Sequence, residues 1–263
     1  MPESLPWLES LIEFCVIFAA TYGVFVALYF LVGFFFDWLN AKHPDRRIQK
    51  NRRGEERRWQ EMRSSVLSLF VTCFCLVFGI FAQRQGWTIA PVAIWSWWSI
   101  PLLVLSIVLF DGWFYFAHRL MHTKVLYPYH LEHHRSVAPT VWSNYSDNPV
   151  DAFAQQSYFL FVMFFVPIPW QLLALQRIYD HFNGMIGHSG FEYFAGRMAR
   201  WPSVLVCTVF HDQHHSAFNY NFSNFFSFWD RVLGTLHPRY DEMVEVFETP
   251  EGRKTADTAK IVK

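Results

Sequence analysis

From Phe14 to Phe36 the chain runs 23 residues without a charge. As a helix such a run is about 34 Å long, enough to cross the apolar core of a bilayer. Ser64 to Gln83 gives a second run of 20, and Gln85 to Phe110 a third of 26, with Pro91 near its start and Pro101 inside. Uncharged runs of this length are rare in soluble cores. They predict an all-α integral membrane protein with transmembrane helices over about 11–36, 64–83 and 88–110. Met1 to Glu9 lacks a basic n-region and no small-residue cleavage site follows the first run, so that run is expected to be an anchor rather than a removed leader. Composition agrees: 17% of residues are charged and 52% hydrophobic, where a soluble domain carries about 25% charge.

Between the first two runs, residues 42–63 hold nine Lys/Arg against four Asp/Glu. An excess of this kind marks a cytoplasmic loop, so the third run should return the chain to the cytoplasm near Asp111. A fourth apolar stretch, Ala152 to Gln176, is broken by Pro167-Ile-Pro169 into parts of 15 and 7 uncharged residues. Each is short for a span, which predicts a helical hairpin over 152–188 dipping partway into the membrane. The resulting division is an N-terminal membrane unit over 1–110, a cytosolic helical His-rich region over 111–240 capping it, and a polar tail over 241–263, frayed after Glu248. Lys+Arg and Asp+Glu both number 22, so no charge imbalance points to nucleic acid. The four cysteines lie in apolar stretches without zinc or disulfide spacing and read as reduced packing residues.

Twelve histidines are the unusual feature, and ten lie downstream of the third run in four groups: His118-x3-His122, His130-x2-His133-His134, His181-x6-His188 and His211-x2-His214-His215. Residues four apart share one helix face about 6 Å apart, which suits two nitrogens on one metal. Two copies of the same five-residue pattern are hard to obtain from interface residues. His181 and His188 are two turns apart, about 10 Å, so they can face one cavity without gripping one ion closely. His43 and His237 have no partner at ligand spacing. Nine strong ligands are too many for one ion and imply two metals. Neutral imidazole suits zinc, copper, iron and nickel alike. Asp111, Tyr115, His118 and His122 fall on one helix face, so Asp111 or Tyr115, and Asp212 within the last motif, are candidates to orient ligand imidazoles.

The segments Asp111-Gly-Trp-Phe-Tyr-Phe-Ala-His118-Arg-Leu-Met-His122, His130-Leu-Glu-His133-His134, His188-Ser-Gly, His211-Asp-Gln-His214-His215 and Trp229-Asp-Arg-Val-Leu-Gly-Thr235 resemble the fatty acid hydroxylase/sterol desaturase superfamily over about residues 100–236. The resemblance implies a membrane enzyme with a cytosol-facing dinuclear iron centre that uses O2 and two electrons to hydroxylate or desaturate lipid C–H bonds. It implies His118, His122, His130, His133, His134, His188, His211, His214 and His215 as ligands. His181 has no counterpart in it and stands as a ligand candidate on spacing alone. Where several members read His-Pro-x-Glu, this chain has Asn148-Pro-Val-Asp151.

An unactivated C–H bond requires a redox metal, because no side chain supplies such an oxidant. The substrate would be a membrane lipid reached at the cytoplasmic edge of the bacterial inner membrane or endoplasmic reticulum. No dinucleotide, P-loop or serine-hydrolase motif competes, and there is no Cys-rich iron–sulfur pattern. A separate electron donor of ferredoxin, cytochrome b5 or reductase type is therefore expected. Two further readings remain: a zinc-dependent membrane hydrolase, and a metal transporter. Zinc, which purified protein can carry in place of iron, prefers four ligands, and a transporter places its ligands near the bilayer midplane.

Overall fold

The structure is a computed structural model and describes residues 6–255. It is all-α; two isolated bridges, Arg47 with Phe191 and Leu205 with Phe226, are the only extended pairings among the described residues. Helix α1 (Pro6–Lys42) and helix α2 (Arg58–Arg84) pack antiparallel. Aromatic edges hold the pair along its length, Phe14 against Phe81 at 5.4 Å and Phe18 against Phe70 at 4.7 Å between ring centroids. Glu13 and Arg84 close one end at 2.6 Å, and Asp37 and Arg58 pair at the other. Three helices, α1, α2 and α3 (Ser99–Met121), are long and apolar enough to cross a membrane.

Helix α3 begins at Ser99 rather than at residue 88. Pro91 and the turns around Trp95 keep 89–98 out of a helix, and Trp95, Trp97 and Trp98 stand exposed there as an aromatic belt. The apolar helix long enough to cross a membrane is correspondingly Ser99–Met121. Asp111, expected at or beyond the membrane surface, lies buried inside α3, and His118 occupies its last turn.

Helix α4 (Tyr127–His134) follows a short turn, with Pro128 in its first turn where a missing N–H costs nothing. Helix α5 (Pro149–Gln156) starts on Asn148, whose side chain accepts from Val150 N at 2.9 Å. Helix α6 (Tyr158–Phe161) continues it, and α7 (Trp170–Gly187) returns after the Pro167–Pro169 break. The uncharged lengths suggested a hairpin that goes only partway in. Its tip nonetheless packs on the far end of α2: Gln83 Nε2 donates to Ile168 O and its Oε1 accepts from Trp170 N, both at 2.9 Å. The charge that ended the apolar run explains the difference. Arg177 is buried but pairs with Asp180 at 2.8 Å and donates to Tyr145 Oη at 2.8 Å, so α7 carries it without an unpaired charge.

The remaining helices, α8 (Thr208–Ala217), α9 (Phe228–Val232), α10 (Tyr240–Glu248) and α11 (Pro250–Thr255), cap the membrane unit on the side of the loop between α1 and α2. The chain expected to fray after Glu248 is thus helical through Thr255; the rest of that tail lies outside the described residues. The basic loop is not simply solvated. Ile48 N donates to Gly190 O at 3.0 Å, Glu192 N donates to Arg46 O at 2.9 Å, and buried Gln49 donates to Pro139 O and to Asp212 Oδ1 at 2.9 and 2.7 Å.

Candidate metal centre

Nine of the ten grouped histidines converge between the ends of α3 and α7 and helices α4 and α8. Their ring nitrogens form two sets, His118, His122, His130, His134 and His214 in one, and His133, His188, His211 and His215 in the other; within each set the ligand atoms lie within 4.8 Å of one another. The division cuts across the sequence motifs. Each i,i+4 pair stays together, because four residues restore the same helix face. The odd members cross over: His133 leaves α4 for the set built on α8, and His214 leaves α8 for the set built on α3 and α4.

Second-nitrogen contacts orient most of these rings. His118 Nδ1 meets Phe222 O at 2.9 Å, His214 Nδ1 meets Tyr220 O at 2.6 Å, and His188 Nδ1 meets Gly184 O at 2.8 Å. His130 Nδ1 lies 2.6 Å from Asp151 Oδ2, with both side chains fully buried. Carbonyl and carboxylate oxygens only accept, so each of these imidazoles carries its proton on Nδ1 and turns a bare Nε2 lone pair inward. Yet His118 Nε2 lies 3.1 Å from His130 Nε2, and His214 Nε2 lies 3.1 Å from His134 Nε2. In the other set His188 Nε2 is 2.9 Å from His211 Nε2, which is 3.0 Å from His215 Nε2. In the His118–His130 contact both Nδ1 protons are fixed by oxygens, so two lone pairs face each other and repel unless a cation lies between them; no oxygen fixes His134, His211 or His215, whose contacts a shared proton also satisfies. The donor set therefore fits metal ions, all nitrogen, with two adjacent sites.

Protonation agrees with this role. Burial and the neighbouring imidazoles hold His122, His130 and His188 down at about 3, and push His211, His214 and His215 well below the ordinary histidine value. These rings are neutral and ready to ligate at physiological pH. His133 differs. Burial opposes its charge, but Asp147 Oδ1, 2.7 Å from its Nδ1, raises its pKa above the ordinary value.

His181, a ligand candidate on spacing, stands apart from both sets. It lies two turns deeper on α7, where Tyr145 Oη meets its Nδ1 at 2.8 Å and Phe25 covers its ring. The three orienting candidates also act elsewhere. Asp111 Oδ1 accepts from the backbone N–H groups of Asn224, Phe225 and Phe226 at 3.2, 2.6 and 3.2 Å. Tyr115 Oη meets Thr235 Oγ1 and Arg119 Nη1, each at 3.0 Å. Asp212 takes Gln49 and, at 2.5 Å, Arg52, tying α8 to the basic loop. Asp111 still serves the site at one remove. With Asp230, which accepts from Phe222 N and Ser223 N at 2.8 and 3.0 Å, it fixes the 220–226 turn whose carbonyls orient His118 and His214.

The carboxylates that do face ligand imidazoles are Asp147 and Asp151. Sequence left one signal for Asp151, the acid closing Asn148-Pro-Val-Asp151, and none for Asp147, which reads as an ordinary turn residue two positions before Pro149. Glu192 is a further buried acid. Its Oε2 accepts from Val209 N at 2.9 Å in the first turn of α8, and its Oε1 from Phe194 N at 2.7 Å, so it fastens the histidine-bearing helix to the loop after His188.

Comparison with known proteins points the same way. The fatty acid hydroxylase family model matches residues 103–235. A probable Δ7-sterol 5(6)-desaturase of Neurospora crassa is 27% identical over 92% of this chain and 69% of its own length. The Δ7-sterol 5(6)-desaturase of Candida dubliniensis is 32% identical over 57% of this chain and 36% of its own. Methylsterol monooxygenase 1 of Gallus gallus is 25% identical over 82% and 76%. The chain thus spans between about a third and three quarters of these relatives. No solved structure matches it.

Proposed function

The chain belongs to the fatty acid hydroxylase family, and from that premise we propose that it is an O2-dependent oxidoreductase that hydroxylates or desaturates a C–H bond of a membrane lipid. The observation that carries the reading is the pair of all-imidazole sets, five and four nitrogens, each close enough together to hold a metal ion. Two irons would occupy them, held by His118, His122, His130, His134 and His214 on one side and His133, His188, His211 and His215 on the other. When bound, the irons would supply the activation of O2 that side chains cannot. The protein's own share is positional. Asp151, Asp147 and the carbonyls of Phe222, Tyr220 and Gly184 set the tautomers, while the packed helices exclude water from the ligands. Nine nitrogens favour iron over a zinc hydrolase, since zinc sites close at four. The relatives named for sterol oxidation favour a lipid substrate, and the electrons would come from a separate donor of ferredoxin, cytochrome b5 or reductase type. The metal face would lie on the cytoplasmic side, because the basic loop is bound to α8 through Asp212.

The test is anaerobic reconstitution with ferrous iron, followed by metal analysis, O2 uptake with a chemical reductant, and mass spectrometry of membrane lipids. About two irons per chain and a lipid gaining one oxygen or losing two hydrogens are expected. Full activity at one iron per chain, or at zinc alone, overturns the reading.

A further inference from the structure

One backbone position beside the metal centre is strained and carries a residue ill suited to it. Helix α8 ends on Phe218, whose φ of 59° and ψ of −36° put a bulky side chain at positive φ. Asn219 N donates to Ala217 O at 2.6 Å across it, closing a γ-turn of the rare and strained hand. Glycine is the residue that helix ends of this kind favour. Core packing does not explain the phenylalanine, which is only half-buried and joins neither of the two buried apolar clusters. What it packs against is a ligand. Its ring centroid lies 4.9 Å from that of His134, with the planes tilted by 49°.

His134 lacks what the other buried ligands of its set have. His118, His130 and His214 are each held by an oxygen on Nδ1, and His122 is partly open to solvent. His134 is buried, and its Nδ1 has no hydrogen-bond partner among the described residues. An imidazole turns about its χ2 bond over a broad, roughly two-fold range. A buried one without a hydrogen bond on Nδ1 must be oriented by its packing until a metal holds Nε2. That nitrogen of His134 lies 3.1 Å from Nε2 of both His122 and His214, in the middle of the set. Tyr127 is more distant, 6.1 Å between centroids, which leaves Phe218 as the closer non-histidine ring. Phe218 N in turn donates to His214 O at 2.8 Å. The strained turn thus sets the ring on His134 from the helix that supplies His214.

We propose that Phe218 is the positioning residue of His134: its ring, held against the imidazole by the strained turn, does for this ligand what oxygen acceptors do for its buried neighbours. The strain is the cost of that placement, since a glycine would make the same turn freely but leave His134 unsupported. The inference rests on the two-metal reading and deepens it, and it does not depend on the oxidation that the bound metals carry out.

Metal affinity tests this apart from turnover. The metal-free full chain in phosphatidylcholine nanodiscs would be titrated anaerobically with ferrous iron and, separately, with cobalt(II), whose d–d absorption reports its coordination. Phe218→Ala should weaken one of the two sites about 10–100-fold and leave the other unchanged. His134→Ala marks which site that is. Phe218→Tyr, which keeps the ring, should bind as the unmodified chain does. Phe218→Gly relieves the backbone, so its metal-free thermal midpoint should lie about 2–4 °C above that of Phe218→Ala, with the site equally weak. The deciding comparison is a double-mutant cycle: in a His134→Ala background, Phe218→Ala should cost no more than about a further twofold, because the imidazole it positions is gone. Unchanged affinity in folded Phe218→Ala overturns the proposal, as does an equal loss with and without His134. A midpoint no higher in Phe218→Gly than in Phe218→Ala overturns it too, by removing the strain. If Phe218→Ala does not fold, Phe218→Leu, which fills the space without a planar face, replaces it in the cycle. The functional reading fails separately: if O2 uptake and lipid oxidation are absent while the cobalt cycle behaves as described, only catalysis is lost.

Discussion

Asp151 Oδ2 lies 2.6 Å from His130 Nδ1, and neither side chain is exposed to solvent. The carboxylate pins the imidazole proton on Nδ1 and sends Nε2 toward His118 Nε2 at 3.1 Å. Gln155 Nε2 steadies the same carboxylate through Oδ1 at 2.7 Å. Burial raises the Asp151 pKa to about 6, so the acid is held partly by its neighbours and would gain from a metal-bound, more acidic imidazole.

Replacing Asp151 by Asn keeps the shape but allows the amide N–H to face His130, favouring the wrong tautomer. Metal affinity or turnover should fall about 10–100-fold, read as the iron concentration needed for half-occupancy. His130→Ala removes a ligand outright and should abolish activity. If Asp151→Asn binds iron as the unmodified chain does, Asp151 does not orient the ligand.

Asp111 and Asp230 should act on the metal without touching a ligand. Asp111→Ala and Asp230→Ala free the 220–226 turn, whose Phe222 and Tyr220 carbonyls orient His118 and His214. Both variants should lose thermal stability, by about 1–3 kcal/mol for the orphaned N–H groups, together with iron affinity. A loss of stability with iron affinity intact would show the turn to be purely structural.

His181→Ala is expected to leave iron stoichiometry unchanged, because its Nδ1 is taken by Tyr145 Oη at 2.8 Å and it belongs to neither set. His188→Ala should lose metal from the four-histidine set. Metal analysis of the two variants side by side distinguishes them, and an iron deficit in His181→Ala would return that residue to the ligands.

Acid should destabilise the metal-free protein. His122, His130 and His188 have folded values near 3, depressed by burial and by neighbouring imidazoles, and the same causes hold His211, His214 and His215 well below the ordinary histidine value. In the unfolded chain they protonate near 6.5. The stability they contribute is complete above that value and is lost as pH falls from about 6.5 toward 3, because the unfolded state then binds more protons. Raised carboxyls at Asp147, Asp151 and Glu192 oppose this in part, since burial makes the native state take up their protons first. The histidines outnumber them. The thermal midpoint of metal-free protein in detergent should drop between pH 7 and 5, and iron should protect it; a flat profile contradicts the buried, neutral assignment.

Arg52 contacts Asp212, which keeps the basic loop and α8 together. Single cysteines near Gly54 and Ser216 should label from the same, cytoplasmic, side of sealed vesicles. Labelling of the pair from opposite sides would be incompatible with three crossings and a returning hairpin.

Sequence alone determined the helical membrane class, because an uncharged run the length of a bilayer has few other homes, and it determined which imidazoles share a helix face, because i,i+4 spacing is a local property. His118 with His122, His130 with His134 and His211 with His215 were legible for that reason. Only the tertiary structure decided which nitrogen set each odd histidine joins. His133 and His134 are neighbours in sequence but point about 100° apart around α4, so the packing of α8 and α3 on either side draws them into different sets. The same holds for depth. Arg177 ended the apolar run in sequence, yet Asp180 and Tyr145 neutralise it inside the hairpin, and a charge balanced by partners from elsewhere in the chain leaves no trace in a linear count of apolar residues. Asp151 and Asp147 are of this kind: each owes its role to what it faces across the fold, and nothing in its own local sequence fixes that.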